Sequence, residues 1–367
     1  MALLAASVSL TPARERQVPE FGTDVRMIRL DVSVVDGRGR AIPGLRPQDF
    51  RVSEDGRPVE VSYFEAIEAD AAGSPPEALE DQVADSEPGR TSRARRIVLL
   101  VDTLLMTHRQ LLRARESAAR YVRESTTEGD WVRLVDLSSG RVRDGWMPED
   151  RVRLEAAAQR LVRGGVSWGE RGDEDAPIVD RVELPGLEDT PSETWTAGQF
   201  LSIFSQTSGL LGHLETLLTE LQGLDGRKAV VLISPGFPQL RNFDRTLEQV
   251  ASRARDAATA VYFVDVTGFD AVMPEPGEKL KPVFETAWER SGGSQDLAEA
   301  TGGFTFRFGN SLAPALARIG AEMRTYYVLG FLPTRPDDGR FRSVKVKVDV
   351  PGVTARTKKG YLAGRSR

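Results

Sequence analysis

The sequence predicts a doubly wound, mostly parallel α/β sheet inserted into a β-sandwich that the two ends of the chain form together. The middle of the chain alternates short apolar runs with helical segments, as in a parallel sheet covered on both faces. Both ends instead show the alternating pattern of half-buried strands, and neither end has enough strands to bury a core alone. With 367 residues, of which 40% are hydrophobic, the chain is long enough for two cores.

The N-terminal segment, residues 1–21, is apolar as far as small residues near Ala13 but lacks the basic start of an export signal. It fits either a shortened signal or a frayed terminus, so we expect an exported (periplasmic or extracellular) protein or, alternatively, a cytoplasmic one.

Residues 22–67 form the first part of the sandwich. Apolar and polar residues alternate from Ile28 to Val34, and the Asp55-Gly56 turn joins two more short alternating runs.

Residues 68–95 are rich in alanine, proline, serine and acids without any period, which is typical of a linker.

Residues 96–323 form the α/β part. Its buried strands have the sequences IVLLVD, KAVVLISPG and AVYFVDV, and helical spacing separates them. A long loop at 163–199, which contains Trp195, interrupts this rhythm; loops of this length are either functional or disordered.

The C-terminal segment, residues 324–367, returns to the β pattern. It contains a strand from Tyr326 to Leu332, a turn at Asp338-Gly339 and valines that alternate from 344 to 348. A single closing strand is expected around Thr354 to Leu362. Because both ends of the chain supply strands without partners, we expect them to pair with each other.

Composition excludes several classes of function. The chain has 49 basic and 54 acidic residues and no long basic run, so no nucleic-acid partner is expected. It has no cysteine, which excludes disulfides, thiol catalysis and thiolate-bound metals. His108 and His213 are too few for a multi-histidine metal site. No apolar stretch reaches the roughly 20 residues that cross a bilayer, so no membrane span is expected.

Ligands of open α/β sheets bind beyond the carboxyl ends of the strands. In this chain those ends carry Asp102 to Thr107, Asp136 to Ser139, Ser234 to Gly236 and Asp265 to Thr267. The stretches IVLLVDTLLM and GRKAVVLISPGFP, together with RLDVSVVDGRGRAIPGLRPQDF before them and KKGYLAG after them, resemble the von Willebrand factor A-type (VWFA) domain. The order of these stretches is similar to that of the VWFA-related family typified by acidobacterial proteins, and it covers most of the chain outside the two linkers. The resemblance implies a Rossmann-like α/β domain.

The resemblance also implies where a metal would lie. The family's metal-ion-dependent adhesion site uses Asp-x-Ser-x-Ser after the first strand, a threonine from a second loop and an acid from a third. Here Asp102 keeps the first acid, but Leu104 and Met106 stand at the serine positions, and Ser234 stands where the third acid is expected. Mg²⁺ requires an octahedron of hard oxygens, and one carboxylate with a few hydroxyls is a poor substitute. We therefore expect a degenerate site with no cofactor. If a metal does bind, its ligands come from the following set: Asp102, Thr103, Thr107, Thr207 and Ser234.

The sequence therefore favours a non-catalytic protein-interaction module that binds a protein partner at the strand ends. The expected anchors are apolar and aromatic, because such groups carry most interface energy. They are Leu104, Met106, Phe237 and Trp195. The alternative is a Mg²⁺-dependent adhesion or ligand-binding protein that uses Asp102. A hydrolase is the third possibility, although no set of nucleophile, base and orienting group can be assembled.

Overall fold

The computed structural model describes residues 27–68, 95–162 and 197–364, except for positions 105, 127–129, 138–140, 145–149, 225, 268–279, 308–310 and 336. The signal-like terminus therefore lies outside the described residues, as do all but the ends of the expected linker and the long loop as far as residue 196.

The central sheet has six strands in the order β10-β9-β8-β5-β6-β7. Five of them are parallel and β7 is antiparallel to β6. The strands are β5 (Arg96–Val101), β6 (Trp131–Asp136), β7 (Arg141–Asp144), β8 (Lys228–Ser234), β9 (Thr259–Asp265) and β10 (Thr305–Phe306). All seven residues of both β8 and β9 are buried, which is why these strands read as continuously apolar in the sequence.

In the described parts of the chain, six helices cover the two faces of this sheet, as expected for a Rossmann-like core. They are α1 (His108–Ser125), α2 (Arg151–Gln159), α3 (Ala197–Gln222), α4 (Asp244–Asp256), α5 (Leu280–Thr301) and α6 (Ala313–Arg324). Helices α1, α2 and α6 share one hydrophobic cluster with the sheet, and α3, α4 and α5 share the other. No helix among the described residues combines the length and apolarity that a membrane span needs.

Strands from both ends of the chain pair with each other in two four-stranded antiparallel sheets, ordered β13-β1-β11-β4 and β14-β12-β2-β3. These strands are β1 (Ile28–Asp36), β2 (Phe50–Glu54), β3 (Arg57–Val59), β4 (Tyr63–Glu68), β11 (Thr325–Phe331), β12 (Phe341–Val348), β13 (Val353–Arg356) and β14 (Gly360–Leu362). Strand β1 pairs with β11 along its first half, with Ile28 opposite Phe331, and with β13 along its second half. Each end of the chain thus supplies the partner that the other lacks.

One hydrophobic cluster joins the two terminal sheets. It contains Leu30 and Val32 from β1, Val52 from β2, Leu329 from β11 and Val346 from β12. These residues are the apolar members of the alternating pattern. The sheets lie at the amino ends of the parallel strands, since Arg227, next to β8, donates a hydrogen bond to the Ser33 hydroxyl in β1 (2.8 Å). The carboxyl ends of the parallel strands are therefore at the opposite end of the α/β part.

Three details differ from the sequence-based predictions. The closing segment is two strands, because β13 pairs in one terminal sheet and β14 in the other, so the chain crosses between them at 357–359. Helix α3 begins at Ala197, within the range assigned to the long loop. Strand β7 and helix α5 had no clear sequence signal: β7 is four residues long, and α5 contains the glycine pair Gly292 and Gly293.

Candidate functional site

Polar side chains meet at the carboxyl ends of the parallel strands. Asp102 follows β5, and Asp136, Ser234 and Asp265 are the last residues of β6, β8 and β9. All four are almost completely buried. Because these strands are neighbours in the sheet, the structure brings together the strand-end residues that the sequence singled out.

Asp102 is held by Ser234, the last residue of β8. The Ser234 hydroxyl donates a hydrogen bond of 2.7 Å to Oδ2 of Asp102, and the same hydroxyl accepts one of 2.9 Å from the Gly236 amide. The Asp102 amide in turn donates to the Ile233 carbonyl at 3.0 Å. The Ser234 hydroxyl therefore links the segments that follow β5 and β8.

A second hydroxyl–carboxylate pair lies beside the first. Thr103 is fully buried, and its hydroxyl donates to Oδ1 of Asp136 at 2.5 Å. Thr107 has a different role, because it is the N-cap of α1. Its hydroxyl accepts from the Gln110 amide, and the Gln110 side chain accepts from the Thr107 amide, which forms a capping box. Both threonines thus already have structural hydrogen bonds.

Thr207 lies on the sheet-facing stripe of α3, between Ile203 and Leu210, and is 1% exposed. Helix α3 leads into β8, and Thr207 lies about 22 Å along the helix from Gln222, at 1.5 Å per residue. Phe204, about one turn before Thr207, stacks at 4.9 Å on the ring of Phe243 in the segment after β8, so this part of α3 lies near the carboxyl end of that strand. Its Oγ1 is buried and has no hydrogen-bond partner among the described residues.

Two of the expected partner anchors are not on the surface. Met106 and Phe237 are both 0% exposed. Met106 belongs to the cluster beneath α1, and Phe237 to the cluster on the other face of the sheet. As sites of direct partner contact, both predictions are therefore wrong.

Phe237 is buried because of a feature of α5 that the sequence reading missed. A Cβ on Gly293 would lie 2.5 Å from the Phe237 ring, so the missing side chain makes the space for that ring. The Phe237 amide donates to the buried Ser294 hydroxyl at 2.9 Å. Gly236, at φ +89°, would bring a Cβ within 2.5 Å of the Ser291 Cβ. The run Ser-Gly-Gly-Ser at 291–294 was the available signal, and it fixes the loop after β8 against α5.

The remaining anchors differ in their positions. Leu104 is partly exposed at the strand ends, while Trp195 lies outside the described residues. Other apolar side chains near this end are Leu201, on the first turns of α3 (59% exposed), and Leu112, on α1 (48% exposed). They lie on helices that cover opposite faces of the sheet. Leu104, Leu112 and Leu201 are therefore accessible apolar residues that the described part of the chain places near the buried polar cluster.

Asp265, the last residue of β9, has a raised pKa. Burial raises the pKa of its carboxyl, while hydrogen bonding to Thr267 and the charge of Arg307 partly oppose the rise. The Thr267 amide donates to Oδ1 of Asp265 at 2.7 Å, and the Arg113 guanidinium donates to the Thr267 carbonyl at 2.7 Å. This carboxylate therefore shapes the loop after β9.

The chemistry of these residues is that of a closed polar network. Within the parts of the chain that are described, no three acidic or histidine side chains group as a metal site would require. His108 and His213 are both exposed, each on a helix. Among the described strand-end side chains, hydrogen bonds join hydroxyls to carboxylates.

Comparison with models of known protein families found no match to this chain, and comparison with curated proteins found none either.

Proposed function

We propose that this chain is an exported, non-catalytic protein-interaction module of the VWFA-related type. An A-type α/β domain is inserted into a β-sandwich made from both ends of the chain. The partner binds at the carboxyl ends of the parallel strands without a bridging metal ion. The support comes from the order of the family-like stretches, the terminal strand pairing and the geometry at the strand ends.

The hydrogen bond between Ser234 and Asp102 carries the metal-free part of the proposal. A bound Mg²⁺ would need the lone pairs of Asp102 and an acid at position 234, together with water or hydroxyl ligands. Instead, Oδ2 of Asp102 accepts a hydrogen bond from the Ser234 hydroxyl, with 2.7 Å between the two oxygens. The side chains of Leu104 and Met106 contain no oxygen. These residues fit the ion poorly. Asp102 is also 1% exposed, so a partner's carboxylate would have no direct access to an ion held there.

Partner binding then depends on the accessible apolar residues around the network. Leu104 and Leu201 flank the strand ends, and burying a leucine side chain contributes roughly 1.5–3 kcal/mol. The rigid strand-end network holds the loop of Leu104 in one position. Affinity should therefore depend on these leucines and on loop shape.

The test is capture of a partner from an extract of the native organism, with the full chain immobilised. We expect the Leu104→Asp and Leu201→Asp variants to lose the captured protein. Val152→Asp is the matched control, since Val152 is 81% exposed on α2 and Arg151 beside it contacts Thr126, beyond the far end of α1. A partner that all three variants retain, or that EDTA releases and Mg²⁺ restores, contradicts the proposal.

A Mg²⁺-dependent adhesion or ligand-binding protein is the second candidate function, and Thr207 favours it. Its buried hydroxyl has no partner among the described residues, and the resemblance would take the metal-binding threonine from near this position. A buried hydroxyl without a hydrogen bond costs roughly 1–3 kcal/mol, which a ligand could offset.

Calorimetric titration of the full chain with Mg²⁺, Mn²⁺ and Ca²⁺ separates the two candidates. The metal-free proposal expects no saturable heat and no change in melting temperature on adding EDTA. Saturable binding that Thr207→Val and Asp102→Asn both abolish would establish the second candidate. Thr219→Val is the control for the threonine change, because Thr219 is exposed on α3 and its hydroxyl bonds within the helix.

A further inference from the structure

A cavity of about 280 Å³ lies between the terminal sheets and the amino ends of the parallel strands. Its walls come from the start of β1, the end of α4, the start of β9, the end of α5 and strand β14. Clefts between separately packed units are common sites for small ligands. This cleft is at the opposite end of the α/β part from the proposed partner surface, so it is independent of that proposal.

Arg227 is an almost completely buried charge in the wall. It is 5% exposed, and its guanidinium donates to the Ser33 hydroxyl (2.8 Å), the Tyr262 hydroxyl (3.3 Å) and the Glu322 backbone carbonyl (3.4 Å). All three acceptors are neutral. Within the described structure, no carboxylate lies within ion-pair distance of this guanidinium, which also stacks on the Tyr326 ring at 4.9 Å. Against the effect of burial, the charges of Asp31 and Glu322 act on Arg227 from a longer distance and help to raise its pKa. Because its hydrogen-bond acceptors are all neutral, the guanidinium still attracts an anion.

Cationic side chains outnumber acidic ones in the cavity wall. The cations are Arg29, Arg227, Arg255 and Lys358, and the acids are Asp31 and Asp256. Asp31 forms an ion pair with Arg29 at 3.3 Å. Arg255 forms an ion pair with Glu248, which lies outside the wall. The wall thus carries four cations and two acids, and Glu248 outside it compensates one of the cations.

Part of the wall is apolar, which restricts the ligand further. Met27, Ile28, Ala254, Ala260 and Leu362 provide this surface next to the cations. An inorganic anion would leave it without contacts, whereas an anion on an apolar body would cover both parts. The volume suits a small molecule and not a folded chain.

We propose that this cleft binds a small organic anion, with a phosphate or carboxylate group directed to Arg227 and an apolar body against the Met27 and Leu362 side. Arg29 and Lys358 stabilise the anion from the rim. Because the walls come from both the terminal sheets and the α/β part, the bound anion stabilises their packing against each other.

The experiment is calorimetric titration of the full chain with phenyl phosphate, benzoate and inorganic phosphate at constant ionic strength. We expect the two aromatic anions to bind and to raise the melting temperature, and inorganic phosphate to bind at least tenfold more weakly. The aromatic phosphate and carboxylate distinguish the two headgroups. If inorganic phosphate binds and the two aromatic anions do not, the apolar surface does not contribute to binding and that part of the proposal is wrong.

Variants locate the binding. Arg227→Gln should weaken binding of the better aromatic anion at least tenfold, and Lys358→Gln and Arg29→Gln should each weaken it several-fold. The rim variants keep the test decisive if Arg227→Gln does not fold. Arg109→Gln removes the same charge from an exposed position in the first turn of α1, near the strand ends, and should leave the affinity unchanged. The proposal is wrong if none of the three probes binds, or if the rim variants match the Arg109→Gln control.

Discussion

Replacing Glu322 by glutamine should destabilise the protein strongly, because this carboxylate lies between cations in a buried position. The side chain is 0% exposed, and its Oε1 accepts hydrogen bonds from Arg318 (3.2 Å) and Arg356. Arg356 lies in β13 and Glu322 in α6, so this contact joins the terminal sheets to the α/β part. Both guanidinium groups also stack on the Phe304 ring, at 4.2 and 4.9 Å.

The magnitude follows from the burial of the groups left behind. Removing one partner of a buried ion pair costs about 3–5 kcal/mol, because the other charge remains without compensation. Arg318 is 32% exposed and can turn toward water, but Arg356 is 18% exposed and has less freedom. Glutamine keeps an acceptor oxygen for one of the two arginines. We therefore expect a loss near the lower end of that range, about 3 kcal/mol in the free energy of unfolding.

The assay is urea unfolding of the full chain followed by circular dichroism, with Glu299→Gln as the matched control. Glu299 also joins the α/β part to the C-terminal segment, through Lys359 at 3.2 Å, but both partners are about half exposed. Such a surface pair contributes roughly 0–1 kcal/mol. The reasoning is refuted if Glu322→Gln lowers the unfolding free energy no more than Glu299→Gln does.

Three further changes test other parts of the structure. Phe237→Ala should cost about 3–5 kcal/mol in urea unfolding, because it empties the space beside Gly293; a cost below 1 kcal/mol would contradict the burial of the ring. Tyr121→Phe should leave stability unchanged or raise it, since the buried Tyr121 hydroxyl has no hydrogen-bond partner among the described residues; a loss above 1 kcal/mol would show a hidden partner. Asp265→Asn should raise the melting temperature at pH 7 and lose this advantage as the pH falls toward 3.8. Burial raises the folded-state pKa of Asp265, so the wild-type folded state binds the proton more readily than the unfolded chain and loses stability as the pH rises through that pKa. An Asp265→Asn variant that melts below the wild type at pH 7 would indicate a favourable charge interaction with Arg307.

Several features of the fold could be predicted from local sequence because they depend on periodicity. The alternation from Ile28 to Val34 gives β1 its one buried face, and the continuous apolar runs give β8 and β9 two buried faces each. The polar residues that end the parallel strands could be located for the same reason, since a strand's last residue follows from its apolar run. Asp102 and Ser234 were found in this way, and the structure joins them by a hydrogen bond.

The direction of single side chains could not be predicted. Met106 and Phe237 follow strands in segments that read as surface loops, yet both turn into the core. For Phe237 the deciding contact is with Gly293, which is remote in sequence and lies in a helix that has no strong period of its own. The break between β13 and β14 was missed for a similar reason, because the strands belong to different sheets and only the partner strands reveal it.

The pairing of β1 with β11 has a consequence for the order in which the protein folds. A ribosome releases the β1 segment first, but its partner emerges only after the whole α/β part has been made. The α/β part can complete its own contacts earlier, while the N-terminal strands still have unpaired edges. Such edges are prone to association with other chains. Closing so long a loop is also slow, so we expect the terminal sheets to assemble last, with β11 arriving at an α/β part that has already folded.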